Sequence, residues 1–284
     1  MKENFSKPPL TIEQQINKLQ KDYKIIIDDI ELATQYLSHN SYYRLRGYWY
    51  FYEKIEQKEK ITFQDIINLY EFDKTIRNIF FPFLEHIEIS IKTNFINYLA
   101  TTYNNPFIYL NTEIFENQNY YKKFLQKLDE TLKKHSKEPF IEHFYKKYNH
   151  PYPPIWMIME LLSFGETSKI YSNLNKKDLK NIANIYSLHP KCFVNYIYHL
   201  TNVRNIIFHH MRFWNRTFSG VSPKCMNFDA NYQHKLFLFH TIKIINTFLK
   251  IIKKEINFKE TLFDLIQQYN LPNQYLYKYM GFIE

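Results

Sequence analysis

The chain has 284 residues, enough for one large domain or for a domain with appendages. Hydrophobic residues make up 45% and aromatics 19%, which supplies a sizeable core, and only four glycines argue against a turn-rich β fold. The net charge of +9 favours a polyanionic partner, and no run reaches the ~20 apolar residues of a membrane span.

In chain order, residues 1–10 read as a loose lead-in without an apolar signal core. Thr11 with Gln14 forms a capping-box pattern that starts a helix over 11–22, and a second helix follows over 28–38. The stretch 39–52 alternates aromatic and basic residues. Thr62 caps a long helical segment over 63–103, which Pro82 is expected to kink or divide. Helices are predicted over 119–134 and 139–148. A rigid turn, His150-Pro-Tyr-Pro-Pro154, then leads into an apolar, buried helix over 155–163. Gly165 is expected to end that helix, and a short helix continues over 167–173. Asn175 caps a helix over 176–186, and Pro190 stands in the first turn of the next. Residues 217–231 read as a loop, and helices over 234–256, 260–269 and 273–280 close the chain. With no internal repeat and no clear boundary, the expectation is one all-α domain over 11–284, with a C-terminal helical extension from about 234. Cys192 and Cys225 show neither a disulfide framework nor metal spacing, which favours a reducing cytoplasm.

Six arginines stand against 31 lysines, so arginine marks places that need a planar fork for phosphate or carboxylate. Three of the six, Arg204, Arg212 and Arg216, fall within thirteen residues, and Arg44 and Arg46 fall in one short segment. If the stretch 200–216 is a helix, Thr201, Asn202, Asn205, His209, Arg212 and Arg216 share an arc of roughly 100° that holds no apolar residue. His209 lies one turn beyond Asn205 on that arc. His210 is rotated toward the apolar side, so a packing role is expected for it. Arg204 lies at the border, about 140° from His209. It reaches the same place only through its long side chain or across a site shared with another chain.

The chemistry suits RNA cleavage without a metal. An imidazole can take a proton from a ribose 2′-OH or give one to a leaving 5′-oxygen. A guanidinium can hold the non-bridging oxygens as charge builds, and the amide of Asn205 can orient either partner. No P-loop, GxSxG, HExxH or acidic two-metal cluster competes with this reading. By itself Arg-x4-His is a common spacing, and a solvated or salt-bridged helix face explains it equally well.

Several ordered motifs narrow the choice. Val203-Arg-Asn-Ile-Ile-Phe-His-His-Met-Arg-Phe-Trp-Asn-Arg216 resembles the Arg-Asn-x3-His-His-x-Arg-x-Trp-Asn-Arg signature of the AbiD/AbiF-like abortive infection proteins, bacterial phage-defence proteins of the HEPN superfamily. Ser41-Tyr-Tyr-Arg-Leu-Arg-Gly-Tyr-Trp49, Tyr70–Arg77 with Ile87–Lys92, Leu162–Lys169 and Met280-Gly-Phe282 resemble further blocks of that family in the same order, so the match runs from about Thr11 to Phe282. Lys92 stands where the family often has Arg, and Ser41 where it often has Asn.

The resemblance implies an all-α HEPN-like helical bundle with Arg204, Asn205 and His209 as the catalytic set. It implies metal-independent cleavage that leaves 2′,3′-cyclic phosphate ends, with no cofactor. It also implies an active centre built from two facing motifs. No second Arg-x4-His exists in this chain, so the second motif is expected from a homodimer partner. A structured noncoding RNA is a further expected partner, because AbiF-like proteins are associated with one. Arg44, Arg46, Asn202, Arg212 and Arg216 are the candidate RNA contacts. Two other classes stay open: an RNA-binding module that cuts nothing, and a toxin-type subunit held by an antitoxin.

For Tyr42–Tyr52 the expectation is a corner packed by rings rather than a base-stacking surface, with Arg44 and Arg46 left for RNA. Asp73 with Arg77 and Glu88 with Lys92 are expected to pair structurally at i, i+4. The basic C-terminal lysines read as a solvated face. Ser163–Lys169 is a weak candidate for phosphate binding.

Overall fold

A computed structural model describes residues 6–218, 225, 238–254 and 256–282. The described residues form an all-α fold with no strand. Two isolated bridges, Ile26 to Thr62 and Phe115 to Leu174, only pin loops.

The first helices follow their caps. Thr11 and Gln14 exchange the two hydrogen bonds of a capping box at the start of α1 (Ile12–Lys21). Asp29 caps α2 (Ile30–His39), and Ser41 caps α3 (Tyr42–Tyr50). A π-helical turn, Phe51–Glu56, continues α3 and stops at Gln57, whose φ is 51°. Leu45, Tyr48, Trp49, Phe51 and Tyr52 are buried while Arg44 and Arg46 are exposed, so this corner is packed by rings as expected.

The spine of the fold is α4 (Phe63–Thr102), 40 residues opened by a Thr62–Asp65 capping box. At 1.5 Å per residue it spans roughly 60 Å. Ile66, Leu69, Phe72, Ile76, Phe80, Leu84, Ile87, Ile91, Phe95 and Leu99 recur every three or four residues and are buried. Pro82 does not divide it. Its ring is exposed, and the helix is continuous through it, with buried residues on both sides.

Along this spine pack α7 (Ile155–Leu161), α9 (Lys176–Ile185), α10 (Pro190–Phe208), α11 (Leu238–Ile252) and α12 (Phe258–Gln268), besides α3. Outside them lie α5 (Gln118–Lys134), α6 (Pro139–Lys147), α8 (Phe164–Ser172) and the short α13 (Tyr275–Lys278). The apolar cluster runs without a break from Ile16 to Phe282, so the C-terminal helices share the core of the rest. Most of the 217–231 loop lies outside the described residues, as does the start predicted for the helix at 234–256, and that helix ends at Ile252 rather than at 256.

Two expectations are corrected. Gly165 does not end a helix. It sits in the first turn of α8, whose N-cap Ser163 forms a capping box with Glu166. Glu166 also accepts from the Ser163 hydroxyl, so a carboxylate already fills the place proposed for a phosphate. The cysteines are not separate either: Cys192 is disulfide-bonded to Cys225 across a Cα–Cα distance of 5.2 Å. Their pattern therefore no longer argues for a reducing compartment. No helix among the described residues is long and apolar enough to cross a membrane.

His199 of α10 is buried against α11, with Nε2 3.0 Å from the Thr241 hydroxyl and its ring against Phe218. Burial, and then the nearby His240, lower its pKa from 6.5 to about 4. An unfolded chain takes up this proton first, so stability falls as pH drops through that window. Denaturant titrations between pH 7 and pH 4 should show a loss from this residue of up to about 3 kcal/mol. His199→Phe should flatten that part of the curve.

Candidate functional site

The site is built where α10 ends. One side of this helix is core, with Phe193, Ile197, Leu200, Val203 and Ile207 buried, and Thr201 is buried as well. The helix stops at Phe208, so the polar arc read through Arg216 does not exist as one surface. His209 is the C-cap residue, and its N–H reaches the Asn205 carbonyl at 3.0 Å. His210 turns to a left-handed φ of 52°. Its N–H binds the Ile207 carbonyl, and the Met211 N–H binds that of Ile206, each at 3.0 Å. This is a Schellman cap with histidine in the place that usually takes glycine. The expectation that His210 packs in the core fails for this reason: the chain reverses its twist there, and both histidines are exposed.

Beyond the cap, one buried carboxylate holds the chain. Asp73 of α4 is fully buried and accepts at Oδ1 from the N–H groups of Phe213 (3.0 Å) and Trp214 (2.5 Å). Its Oδ2 accepts from the Tyr48 hydroxyl at 2.6 Å and pairs with Arg77. Burial pushes this carboxyl up from the usual aspartate range, while Arg77, Tyr48 and the two amides oppose the shift. Arg44 donates to the His210 carbonyl, and Arg77 reaches that of Met211 at 3.4 Å. Phe213 and Trp214 are thereby inserted into the core, each 1% exposed.

Arg212 and Arg216 belong to this anchoring. Arg212 Nη1 donates to the Gly47 carbonyl of α3 at 2.8 Å, and Arg216 Nη1 to the Arg212 carbonyl at 3.2 Å. Both are half-buried. Burial, and then Arg212, disfavour the charge on Arg216. Arg44 and Arg46 lie at the surface, and Asn202 and Asn205 are half-exposed.

Arg204 lies under Phe208, its guanidinium carbon 3.8 Å from the ring centroid. Its Nε is 3.8 Å from Glu88 Oε2, at the edge of ion-pair distance. That nitrogen is buried without a hydrogen-bond partner. Glu88 Oε1 also pairs with Lys92 at 2.9 Å, and Lys92 donates to the Leu162 carbonyl at 2.7 Å. A recess of about 300 Å³ opens beside Arg204, lined on its acidic side by Glu85, Glu88 and Glu160. His209 does not line it. Within one chain, then, the structure brings Arg204 to Glu88 and Phe208 and leaves His209 outside. The apolar lining of the recess is exposed, with Phe81 at 36%, Ile89 at 56% and Phe208 at 41%, and Met211, three residues beyond Phe208, is 40% exposed as well.

Sequence reasoning missed three features. Glu88 was paired only with Lys92, yet it also faces Arg204 across two helices. Phe208 was given no role, although its i, i+4 spacing from Arg204 signals a stack. Tyr198, 53% exposed, extends the line of Asn202, Asn205 and His209 by one turn, as spacings of 4, 3 and 4 residues indicate. Among the described residues no group of three His, Cys, Asp or Glu is arranged to hold a metal ion.

The family model described as Abi-like protein matches residues 35–215. That span runs from α2 to the end of the Asp73-anchored segment. No curated protein and no solved structure matches the chain.

The anchoring separates two arginines of similar sequence prominence. Arg212→Ala should cost about 1–3 kcal/mol in urea denaturation, because it strips a part-buried carbonyl of its donor. Arg46→Ala, at the surface, should stay within about 0.5 kcal/mol. Equal effects would remove Arg212 from the anchor.

Proposed function

The chain belongs to the Abi-like protein family, and so to abortive-infection phage defence in general; within that class we propose that it is a metal-independent ribonuclease of the HEPN type. The observation that carries this reading is the end of α10. An arginine sits in a recess and an exposed histidine lies one turn away, both beside an uncovered apolar rim. One chain does not assemble the pair. In a homodimer packed through Phe81, Ile89, Phe208 and Met211, His209 of one copy can meet Arg204 of the other, or two such pairs can face across the axis.

In the proposed reaction an imidazole of His209 takes the ribose 2′-OH proton. The 2′-oxygen forms a bond to phosphorus, and the bond from phosphorus to the 5′-oxygen breaks. A protonated His209 supplies the proton for that leaving oxygen, and a 2′,3′-cyclic phosphate and a 5′-OH remain. Arg204 holds the non-bridging oxygens as charge accumulates, after exchanging Glu88 for phosphate. The side-chain amide of Asn205, one turn before His209, is proposed to position the imidazole. Arg44, Arg46 and Asn202 are proposed to hold the RNA outside the reacting bond. Arg212 and Arg216, committed to backbone carbonyls, are left to the anchor. A structured noncoding RNA is the proposed partner besides the substrate, and the cytoplasm is the compartment that holds both.

A second reading keeps the RNA and drops the chemistry, and the contact between Glu88 and Arg204 favours it. Single-stranded RNA incubated in EDTA with wild type, Arg204→Ala and His209→Ala decides between them. Each variant should lose about 100-fold or more of the cleavage rate, and wild-type products should carry cyclic phosphate ends. Light scattering should give the mass of two chains. Binding without cleavage by wild type would leave the RNA-binding module, and cleavage by His209→Ala would reject the site. A requirement for a divalent metal would overturn the mechanism.

A further inference from the structure

Phe81 of α4 and Phe208 of α10 pack with ring centroids 5.0 Å apart, and they line two recesses. On one side is the Arg204 recess, with three glutamates among its lining. On the other is a larger one, of about 620 Å³, that no carboxylate lines. Arg44, Lys74, Arg77, Asn78 and His210 supply its polar lining.

Two of these groups are held by carboxylates. Arg77 is bound to buried Asp73, and Lys74 reaches Glu71 at 3.0 Å from an exposed position. Among the described residues Arg44 has no carboxylate within 4.0 Å. It spends one N–H on the His210 carbonyl, which leaves the rest of its fork for a ligand. Lys74, Asn78 and Phe81 follow one another at i, i+4 and i+7 along the solvent side of α4, so the stripe passes from cationic to aromatic. His210 faces the same recess although its backbone is in the left-handed region, where a side chain beyond Cα is unfavourable. Glycine there would serve the cap better, so the imidazole is kept at a cost to the fold.

We infer that this recess binds a backbone phosphate of single-stranded RNA next to the one held at Arg204, with Arg44, Lys74 and His210 as its ligands. The Phe81–Phe208 partition stands between the two phosphates. His210 is here a binding residue. The assignment rests on the ribonuclease reading for the substrate class, but it needs no cleavage.

The test uses the full chain in EDTA with a fluorescent 2′-O-methyl single-stranded oligonucleotide, which cannot be cut, and reads anisotropy across a KCl series. Lys74→Glu should weaken binding at low salt about tenfold or more, and should lower the slope of log K against log[salt] by about 0.7. His210→Gly should weaken binding while raising the melting temperature, since it relieves the left-handed histidine. A loss of affinity in that variant therefore does not come from misfolding. Wild-type affinity in both variants would overturn the assignment even if unmodified RNA is cut. The same result with a shift of mass toward one chain would make the recess a protein interface instead. Weakened binding by both variants, with no cleavage of unmodified RNA by wild type, would uphold the recess and reject the nuclease.

Discussion

A single buried carboxylate carries much of this structure. Asp73 has no exposure, and such a charge is tolerable only when it is fully hydrogen-bonded. Its partners come from three separated parts of the chain: Tyr48 on α3, Arg77 on α4, and the amides of Phe213 and Trp214 beyond α10. None can be withdrawn without leaving the charge short of a donor, so those three segments are fixed relative to one another. The direction in which α10 delivers its terminal histidines follows from this constraint. Once the amides of 213 and 214 are held, only three residues remain between the C-cap and the anchor, and the chain must turn sharply at His210.

The surface around the helix end divides along the same line. Residues that look equally polar in the sequence have unequal duties, because the anchor uses some of them. Arg77, Arg212 and Arg216 point inward to carboxylate or carbonyl oxygens, and Arg44 holds a carbonyl while staying exposed. Arg204 stands apart from this group, on the far side of Phe208, and meets a glutamate from the spine. Abundant lysine on the outside and scarce arginine at the joints fit a chain in which the guanidinium fork is used mainly for planar, two-sided holding.

Much of the fold was legible in the sequence. Thr11, Thr62, Asn175 and Pro190 announce their helices through local chemistry that tertiary contacts do not override. Long apolar periodicity announced the extent of α4, although Pro82 was expected to kink or divide it. Boundaries with no local signal were not legible. Phe208 and His209 carry no glycine or proline to mark a stop, and the stop is imposed by Asp73, more than a hundred residues away. That one missed end misplaced His210, Arg212 and Arg216 together, because helical angles were carried past the point where they apply. The disulfide between Cys192 and Cys225 was hidden for a similar reason: two cysteines 33 positions apart have no spacing that reveals contact. The resemblance supplied what local chemistry could not, by naming Arg204 and His209 together, and the family match agrees with its Abi-like part.

The ring pair between the two recesses has a consequence beyond shape. Phe208 lies over Arg204 on one side and lines the His210 recess on the other, and it is bonded directly to the first of the two histidines. A rotation of its side chain uncovers the guanidinium and reshapes the cationic recess in the same movement. Anything that favours one rotamer from one side is felt on the other, and by linkage the effect is mutual. Two ligands seated on either side of that ring would communicate through a single torsion, with no need for a helix to move.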